Sequence, residues 1–266
     1  MKYRKWKPTK GMMIKRTLII SDLQIPYHHR IAVTKLIEFT KWWKPDLIAC
    51  VGDESDQPQV SQWTNGLAGE YAQTLMRDIT ETRNVLQAFR HAAPDTQFMV
   101  QRSNHTDRLD KYIARKAPAL AHLESLKYEH LVGFNQLGIQ FNKKMTEILP
   151  GVVMGHGDEY QLSNTAGMTA YKLMQTTGKS VVIGHTHRLG LVYESKGHSG
   201  NIRTTFALES GNLMNMASSG ASYLKPRGAA NWQLGFGLIE SDGKHHFPQV
   251  VPMRKDGGFT WGGKSF

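Results

Sequence analysis

The stretch Thr17-Leu18-Ile19-Ile20-Ser21-Asp22-Leu23-Gln24 decides the fold of this chain. A short apolar run goes straight into a small polar residue and then a carboxylate. An unbroken apolar run of this length marks a strand buried on both faces, as in a parallel sheet covered by other layers. The same design recurs downstream. Leu47-Ile48-Ala49-Cys50-Val51 delivers Gly52-Asp53-Glu54-Ser55-Asp56, and residues 96–100 lead to Arg102-Ser103-Asn104-His105. Residues 151–154 lead to Gly155-His156-Gly157-Asp158, and Val181-Val182-Ile183 leads to Gly184-His185-Thr186-His187.

Between these strands the spacing turns helical. Apolar residues at Ile31, Leu36, Ile37, Phe39, Trp42 and Trp43 predict a helix over 31–43, stopped by Pro45. A long helix is predicted over 67–93, with Leu75, Ile79, Val85, Leu86 and Phe89 on one side and Pro94 as its stop. Residues 106–133 read as helical with a new turn at Pro118, and residues 165–177 as a helix ended by Gly178. Residues 138–141 read as a further strand. Beyond residue 191 the runs 191–194, 204–208, 235–240 and 247–251 are β-like and separated by turn residues, which predicts mostly antiparallel pairing. Strand–helix–strand alternation at the start predicts an α/β layered fold, in which ligands collect beyond the carboxyl ends of parallel strands. Asp22, Asp53 and Asn104 then converge on one rim.

The 266 residues suffice for one large domain, and no apolar stretch reaches the length of a membrane span. The basic N-terminus lacks an apolar run with a cleavage site, so no secretory signal is read and a cytoplasmic setting is expected. The single cysteine, Cys50, lies within an apolar run and excludes an intramolecular disulfide framework. Net charge is +11; seven basic side chains and no acidic one fall within residues 1–16, which leaves +4 for the other 250. This basic arm, with Tyr3 and Trp6 interleaved, is read as a solvated segment, with nucleic-acid contact as the alternative. The organisation expected is an arm over 1–16, one domain over 17–255 and a loose Gly-rich tail over 256–266.

Taken singly, Asp22 and Asp53 suit helix N-caps, Asn104 a turn, and the histidines a surface. Taken together and in order, the five clusters offer only oxygen and nitrogen donors, a set suited to hard or borderline divalent ions. In this the chain resembles the calcineurin-like metallophosphoesterases. Their ordered blocks are D-x-H, G-D-x-x-D, G-N-H-D/E, an isolated His and G-H-x-H. The match runs over residues 17–188, and phage or bacterial origin would suit so small and basic a chain.

The resemblance implies a four-layer αββα sandwich with mixed sheets. It implies two divalent metal ions, Mn²⁺ foremost, with Zn²⁺, Ni²⁺, Fe or Mg²⁺ as alternatives. One would be held by Asp22, Gln24, Asp53 and His187, the other by Asp53, Asn104, His156 and His185, with Asp53 bridging. It further implies water attack through a metal-bridging hydroxide, His105 acting at the scissile phosphate, Asp56 orienting His105, and Arg102 contacting a phosphate oxygen.

The departures are informative. Gln24 stands where the family has a His and is a weaker, neutral donor. Ser103 replaces a Gly. Thr106 replaces an acid, for which Asp107 is the nearest substitute. Gln57-Pro58 stands where the family's protein phosphatases carry Arg-Gly, which counts against a phosphoprotein substrate. The expected reaction is hydrolysis of a phosphodiester, DNA or RNA among the substrates. A phosphomonoesterase or small-nucleotide phosphodiesterase is the runner-up, and a non-catalytic binding scaffold is the reading of a different class. No membrane partner is expected, and the oligomeric state is open. Residues 223–228 with Trp232 are a candidate substrate-contacting loop, while His28-His29 read as a solvated loop.

Overall fold

The structure is a computed structural model that describes residues 14–63, 74–218 and 230–266. Most of the basic arm, residues 67–73 of the predicted second helix, and the loop 223–228 lie outside these. The first half alternates strand and helix: β1 (Lys15–Ile20), α1 (Arg30–Trp43), β2 (Leu47–Cys50), α2 (Leu75–Ala92), β3 (Gln97–Gln101), α3 (Arg108–Lys116), α4 (Tyr128–Val132) and β4 (Ile139–Asn142). There follow β5 (Thr146–Leu149), β6 (Val152–Met154), α5 (Met168–Thr177), β7 (Ser180–Ile183), β8 (Leu189–His198), β9 (Asn201–Ser210), β10 (Gly235–Ser241), β11 (His246–Pro252), β12 (Thr260–Trp261) and β13 (Lys264–Ser265).

Two sheets pack face to face. The first has the order β11-β10-β1-β2-β3-β4 and the second β5-β6-β7-β9-β8. β1 to β4 pair in parallel, with β10 and β11 joining antiparallel. In the second sheet β6, β7 and β9 are parallel, with β5 and β8 antiparallel at the edges. The expected four-layer αββα sandwich with mixed sheets is therefore present. Within the predicted antiparallel half, β9 departs from the expectation by pairing in parallel with β7.

Strand periodicity builds these layers. Alternate side chains of a strand point to opposite faces. Leu18 and Ile20, with Ile48 and Cys50, face the helices and meet Leu36, Phe39, Leu86 and Phe89. Ile19, Ala49 and Val51 face the other way and meet Met154, Val182 and Leu208 of the second sheet. That sheet's outer face, through Val153, Val181 and Ile183, is covered by Ala170, Leu173 and Met174 of α5. Both faces of β2 and of the Leu18–Ile20 part of β1 are thus dry, which is why these stretches are unbroken apolar runs.

Helix ends follow local chemistry. His29 caps α1, its Nδ1 accepting from the Ala32 amide at 3.2 Å; His28 is buried. The solvated loop expected at His28-His29 is thus the entry to α1. Lys44, in the left-handed region, closes α1 one residue before Pro45. Thr74 caps α2 through the Arg77 amide. Gly178 ends α5 with φ of 65°. The helical reading of 106–133 resolves into α3 and α4 joined by short 3-10 turns at Pro118 and Glu124.

The tail corrects an expectation. Phe259 is buried, stacks on Phe266 with ring centroids 5.1 Å apart, and meets Phe39 of α1 edge-on at 5.5 Å. Two aromatic rings, rather than a periodic pattern, dock the Gly-rich segment. Among the described residues no helix is long and apolar enough to cross a membrane.

Asp78 in α2 gives a test of the packing. Its carboxylate is buried, Oδ2 accepts from Gln59 Nε2 at 2.7 Å, and Oδ1 has no hydrogen-bond partner. Burial, with Glu81 and Asp56 nearby, pushes its pKa up to about 6. A raised folded-state pKa means that the folded chain holds a proton the unfolded chain has released. Stability from this group therefore grows as pH falls from about 6 towards 4, and is lost above. Asp78→Asn keeps an acceptor for Gln59 and removes the charge. The gain at pH 7.5 is expected to be about 1–3 kcal/mol, against about 0.5 kcal/mol lost at the helix N-terminus. Urea unfolding of both proteins at pH 5 and 7.5 checks this: the variant's advantage must shrink at the lower pH.

Candidate metal centre

The carboxyl ends of β1, β2, β3, β6 and β7 open onto one rim, and the five polar clusters form its loops. Backbone hydrogen bonds zip these loops together. The Asp22 amide donates to the Gly52 carbonyl at 3.2 Å, the Gln24 amide to Asp53 at 2.9 Å, and the Gly184 amide to His156 at 3.1 Å. Two glycines permit this closeness. A Cβ on Gly52, whose φ is 101°, would lie 2.7 Å from His156 Nδ1 and 2.8 Å from Ser103 Cβ. A Cβ on Gly184 would overlap Ser21 Oγ and lie 2.7 Å from Asp22 Oδ2.

The backbone of the rim is strained. Eight described non-glycine residues have positive φ, and five of them are Asp22, Gln24, Asp53, His185 and His187. Each costs on the order of 1–2 kcal/mol. Such conformers persist only where the surroundings over-determine them, commonly at functional sites.

The structure brings all seven expected ligand residues together, in two groups joined through Asp53. In the first, His187 Nε2 lies 3.1 Å from Asp22 Oδ1, the His185 amide donates to Asp22 Oδ2 at 2.9 Å, and Gln24 Nε2 donates to Asp53 Oδ2 at 3.0 Å. In the second, His156 Nε2 is 3.3 Å from Asp53 Oδ2 and 3.0 Å from Asn104 Oδ1, and its ring centroid is 4.9 Å from that of His185. The Val51 carbonyl accepts from His156 Nδ1 at 2.8 Å, which turns Nε2 towards the carboxylate. One donor atom each from Asp53, His156 and His185 lies within 4.8 Å of the others.

The electrostatics are those of carboxylates short of positive charge. Burial works to raise the Asp53 pKa, but His105, His156 and His185 outweigh it and hold it well below the ordinary value. Burial likewise lowers His156, yet Asp53 and Asp22 push it up to about 10. Burial and then His156 lower His185. Asp22 Oδ1 and Asp53 Oδ1 are buried without a hydrogen bond. Buried carboxylate oxygens left in this state call for a cation. With imidazoles and a side-chain amide around them, the residues present fit divalent ions.

Around this core sit the other expected residues. His105 Nδ1 lies 3.0 Å from Asp56 Oδ1, and its Nε2 is 3.6 Å from Asp53 Oδ2. Burial works to raise Asp56, but the hydrogen bond from His105 and the charge of Arg108 hold it below the usual range. Thr106 closes the third loop: the Ser103 amide donates to its Oγ1 at 2.8 Å. Asp107 does not replace the missing acid, since it pairs with Arg102 and Lys111. Arg102 is taken up by carboxylates, its Nη1 donating to both oxygens of Asp158 at 3.0 and 2.9 Å.

Two residues beside the site had no part in the sequence reading. Arg108 Nη2 lies 2.9 Å from His105 Nε2, and Nη1 donates to Asp56 Oδ1 at 3.2 Å. Its place three residues after His105, on the first turn of a helix, is the only signal that pointed to it. Glu54 lies buried beneath Asp53 and accepts from the Tyr128 hydroxyl at 2.8 Å. Burial pushes its pKa up to about 7, which limits further negative charge there. Trp232 covers the other side, its ring 4.1 Å from that of His187.

No protein-family model matches the chain. Among solved structures, Vacuolar Protein Sorting 29 from Cryptosporidium parvum is similar, with a TM-score of 0.47 and 16% identity, covering 95% of each chain. The nuclease MPE of Pseudomonas putida aligns with a TM-score of 0.31 and 15% identity over 88% of this chain and 87% of that one. In sequence, the Gene 54 protein of Mycobacterium phage D29 is 36% identical over 244 residues, which are 91% of this chain and 94% of that protein. An identity of this level across nearly the whole of both chains means that the protein belongs to the same family as the phage D29 Gene 54 protein.

Proposed function

We propose that the protein is a dinuclear metal-dependent phosphoesterase that hydrolyses phosphodiesters, with nucleic acid as the substrate. The observation that carries this reading is the pair of buried carboxylates, Asp22 and Asp53, each with an oxygen lacking a hydrogen bond and each facing imidazole nitrogens across the rim. Asp22, Gln24, Asp53 and His187 would hold one ion, and Asp53, Asn104, His156 and His185 the other. The Gln24 amide now donates to Asp53; a turn about its last torsion presents its oxygen instead. When bound, divalent ions supply Lewis-acid polarisation of a phosphoryl oxygen and an activated water.

The remaining chemistry belongs to the chain. Asp56 fixes the His105 ring, its Oδ1 lying 3.0 Å from Nδ1, which leaves Nε2 facing the rim beside Asp53. In the free site Nε2 accepts from Arg108 Nη2; with Arg108 turned onto a phosphate oxygen and Nε2 protonated, His105 can hand that proton to the departing ester oxygen. Arg102 is held between Asp107 and Asp158, whereas Arg108 shares the single carboxylate of Asp56 and lies on His105 itself, which makes Arg108 the nearer cation for a non-bridging phosphate oxygen. A binding scaffold has no use for an imidazole oriented by a carboxylate at the mouth of a metal centre.

Hydrolysis of bis(p-nitrophenyl) phosphate and of p-nitrophenyl phosphate, each with Mn²⁺, Zn²⁺, Ni²⁺ and Mg²⁺, tests the reading. Turnover of the diester with Mn²⁺ is expected, together with a rise in melting temperature on adding the ion. Preference for the monoester would move the substrate class. Absence of both turnover and thermal shift with every ion would leave no phosphoesterase.

A further inference from the structure

A groove runs from the metal centre along α3. Asn104 lies at its start; one wall is the segment from Gln59 to Trp63, the other the face of α3, and the cavity is about 280 Å³. Helical spacing puts Arg108, Lys111, Tyr112 and Arg115 on that face, at intervals of three and four residues. From Arg108 to Lys116 the helix advances about 12 Å.

The charges along it are unevenly neutralised. Lys111 pairs with Asp107, and Asp110 pairs with Lys127. Arg115 and Lys116 have no carboxylate partner among the described residues. Two large aromatic side chains stand in the open on the opposite walls, Trp63 at 76% exposure and Tyr112 at 40%. Exposed aromatics interleaved with uncompensated cations are the two elements by which proteins hold single strands: bases stack on the rings while the cations follow the backbone. Arg108 belongs to both places, since its guanidinium touches His105 and Asp56 while its side chain lines the groove.

We infer that this groove binds single-stranded nucleic acid and feeds one of its phosphodiesters to the metal centre. The strand's course past His105 rests on the phosphodiester reading above; its seat along α3 does not. At about 280 Å³ the groove has room between its walls for one nucleotide unit, a base with its sugar and phosphate. The ligand chemistry is common to DNA and RNA, and the test below separates them.

Binding is measured with the full chain in EDTA, which removes turnover, by fluorescence anisotropy of labelled twelve-residue oligo(dT), oligo(U) and a twelve-pair duplex. Wild type is compared with Trp63→Ala, with Arg115→Ala/Lys116→Ala, and with the charge-matched control Lys35→Ala/Lys41→Ala on α1. Unchanged melting temperatures verify that the variants fold. Trp63→Ala is expected to bind either single strand about tenfold more weakly, the loss of one stacking platform. The α3 double variant is expected to flatten the slope of log affinity against log salt by about 1.4, at roughly 0.7 for each phosphate no longer neutralised. The α1 control is expected to match wild type, and the duplex to bind more weakly than the single strands. Tighter binding of oligo(dT) or of oligo(U) assigns the strand.

Equal effects of the α1 and α3 double variants, wild-type binding by Trp63→Ala, or preference for the duplex each overturn the inference. The chemistry is tested separately by wild-type turnover of the small diester. Groove-dependent binding without that turnover removes the catalytic reading and keeps the groove. Turnover with unaltered binding by the variants removes the groove alone.

Discussion

Asp53→Asn is expected to lower kcat/KM for the diester by about a thousandfold or more and to abolish the Mn²⁺-dependent rise in melting temperature. Asp53 touches more of the site than any other residue. Its Oδ2 lies 3.0 Å from Gln24 Nε2, 3.3 Å from His156 Nε2 and 3.6 Å from His105 Nε2, and its Oδ1 has no hydrogen-bond partner. Asparagine preserves the shape and tolerates the left-handed backbone that Asp53 adopts, with φ of 53°. The substitution therefore removes charge without a packing defect. One oxygen becomes an NH₂ that cannot ligate a cation, and the other becomes a neutral donor. Metal-assisted charge stabilisation amounts to several kcal/mol, and each 1.4 kcal/mol is tenfold in rate, which gives the thousandfold. Steady-state hydrolysis and thermal melts with and without Mn²⁺ measure both effects. A variant that keeps its metal-dependent rate within tenfold of wild type would falsify the bridging role.

Much of the fold was legible because of where β1, β2, β3, β6 and β7 sit. Strands buried on both faces have no solvent side to interrupt them, so each read as an apolar run with a polar residue at its carboxyl end. All seven expected ligands come from those ends, and the rim brings them together. What was not legible depends on contacts far apart in sequence. Arg102 and Arg108 flank the same cluster and look equally apt for phosphate. Only the fold reveals that Asp158, 56 residues away, captures Arg102 while Arg108 lies on His105. Glu54 lies between Asp53 and Asp56 in sequence, and only the fold shows Tyr128, 74 residues on, donating to it. Strand β5 went unread because it is four residues long and only Leu149 in it is buried. The joined ends of β8 and β9, residues 195–198 and 201–204, are exposed, so a hydrophobic pattern found mainly the half-buried part of β8 and the buried part of β9. The tail's order rests on Phe259 and Phe266 stacking on each other and on Phe39, which no local pattern announces.

His105→Ala is expected to lose rate without losing metal. His105 lies 3.6 Å from Asp53 but is held chiefly from outside the ligand set, by Asp56 at 3.0 Å and Arg108 at 2.9 Å. Its removal should leave the Mn²⁺-dependent rise in melting temperature within about a degree of wild type. Proton transfer by a positioned side chain contributes about 10²–10⁴-fold. How much of that is lost must depend on the leaving group, because a proton helps a poor leaving group most. p-Nitrophenolate departs readily as an anion, so the loss on the chromogenic diester should lie near the lower end of that range. The alkoxide of an oligonucleotide departs poorly, so the loss there should lie near the upper end. Asp56→Asn, which keeps the ring but weakens its anchor, should cost about ten- to hundredfold with the same ordering of substrates. A purely structural role for His105 would lower both substrates equally and shift the metal-dependent melt as well. The ratio of the two losses, more than either alone, decides whether this imidazole donates the proton.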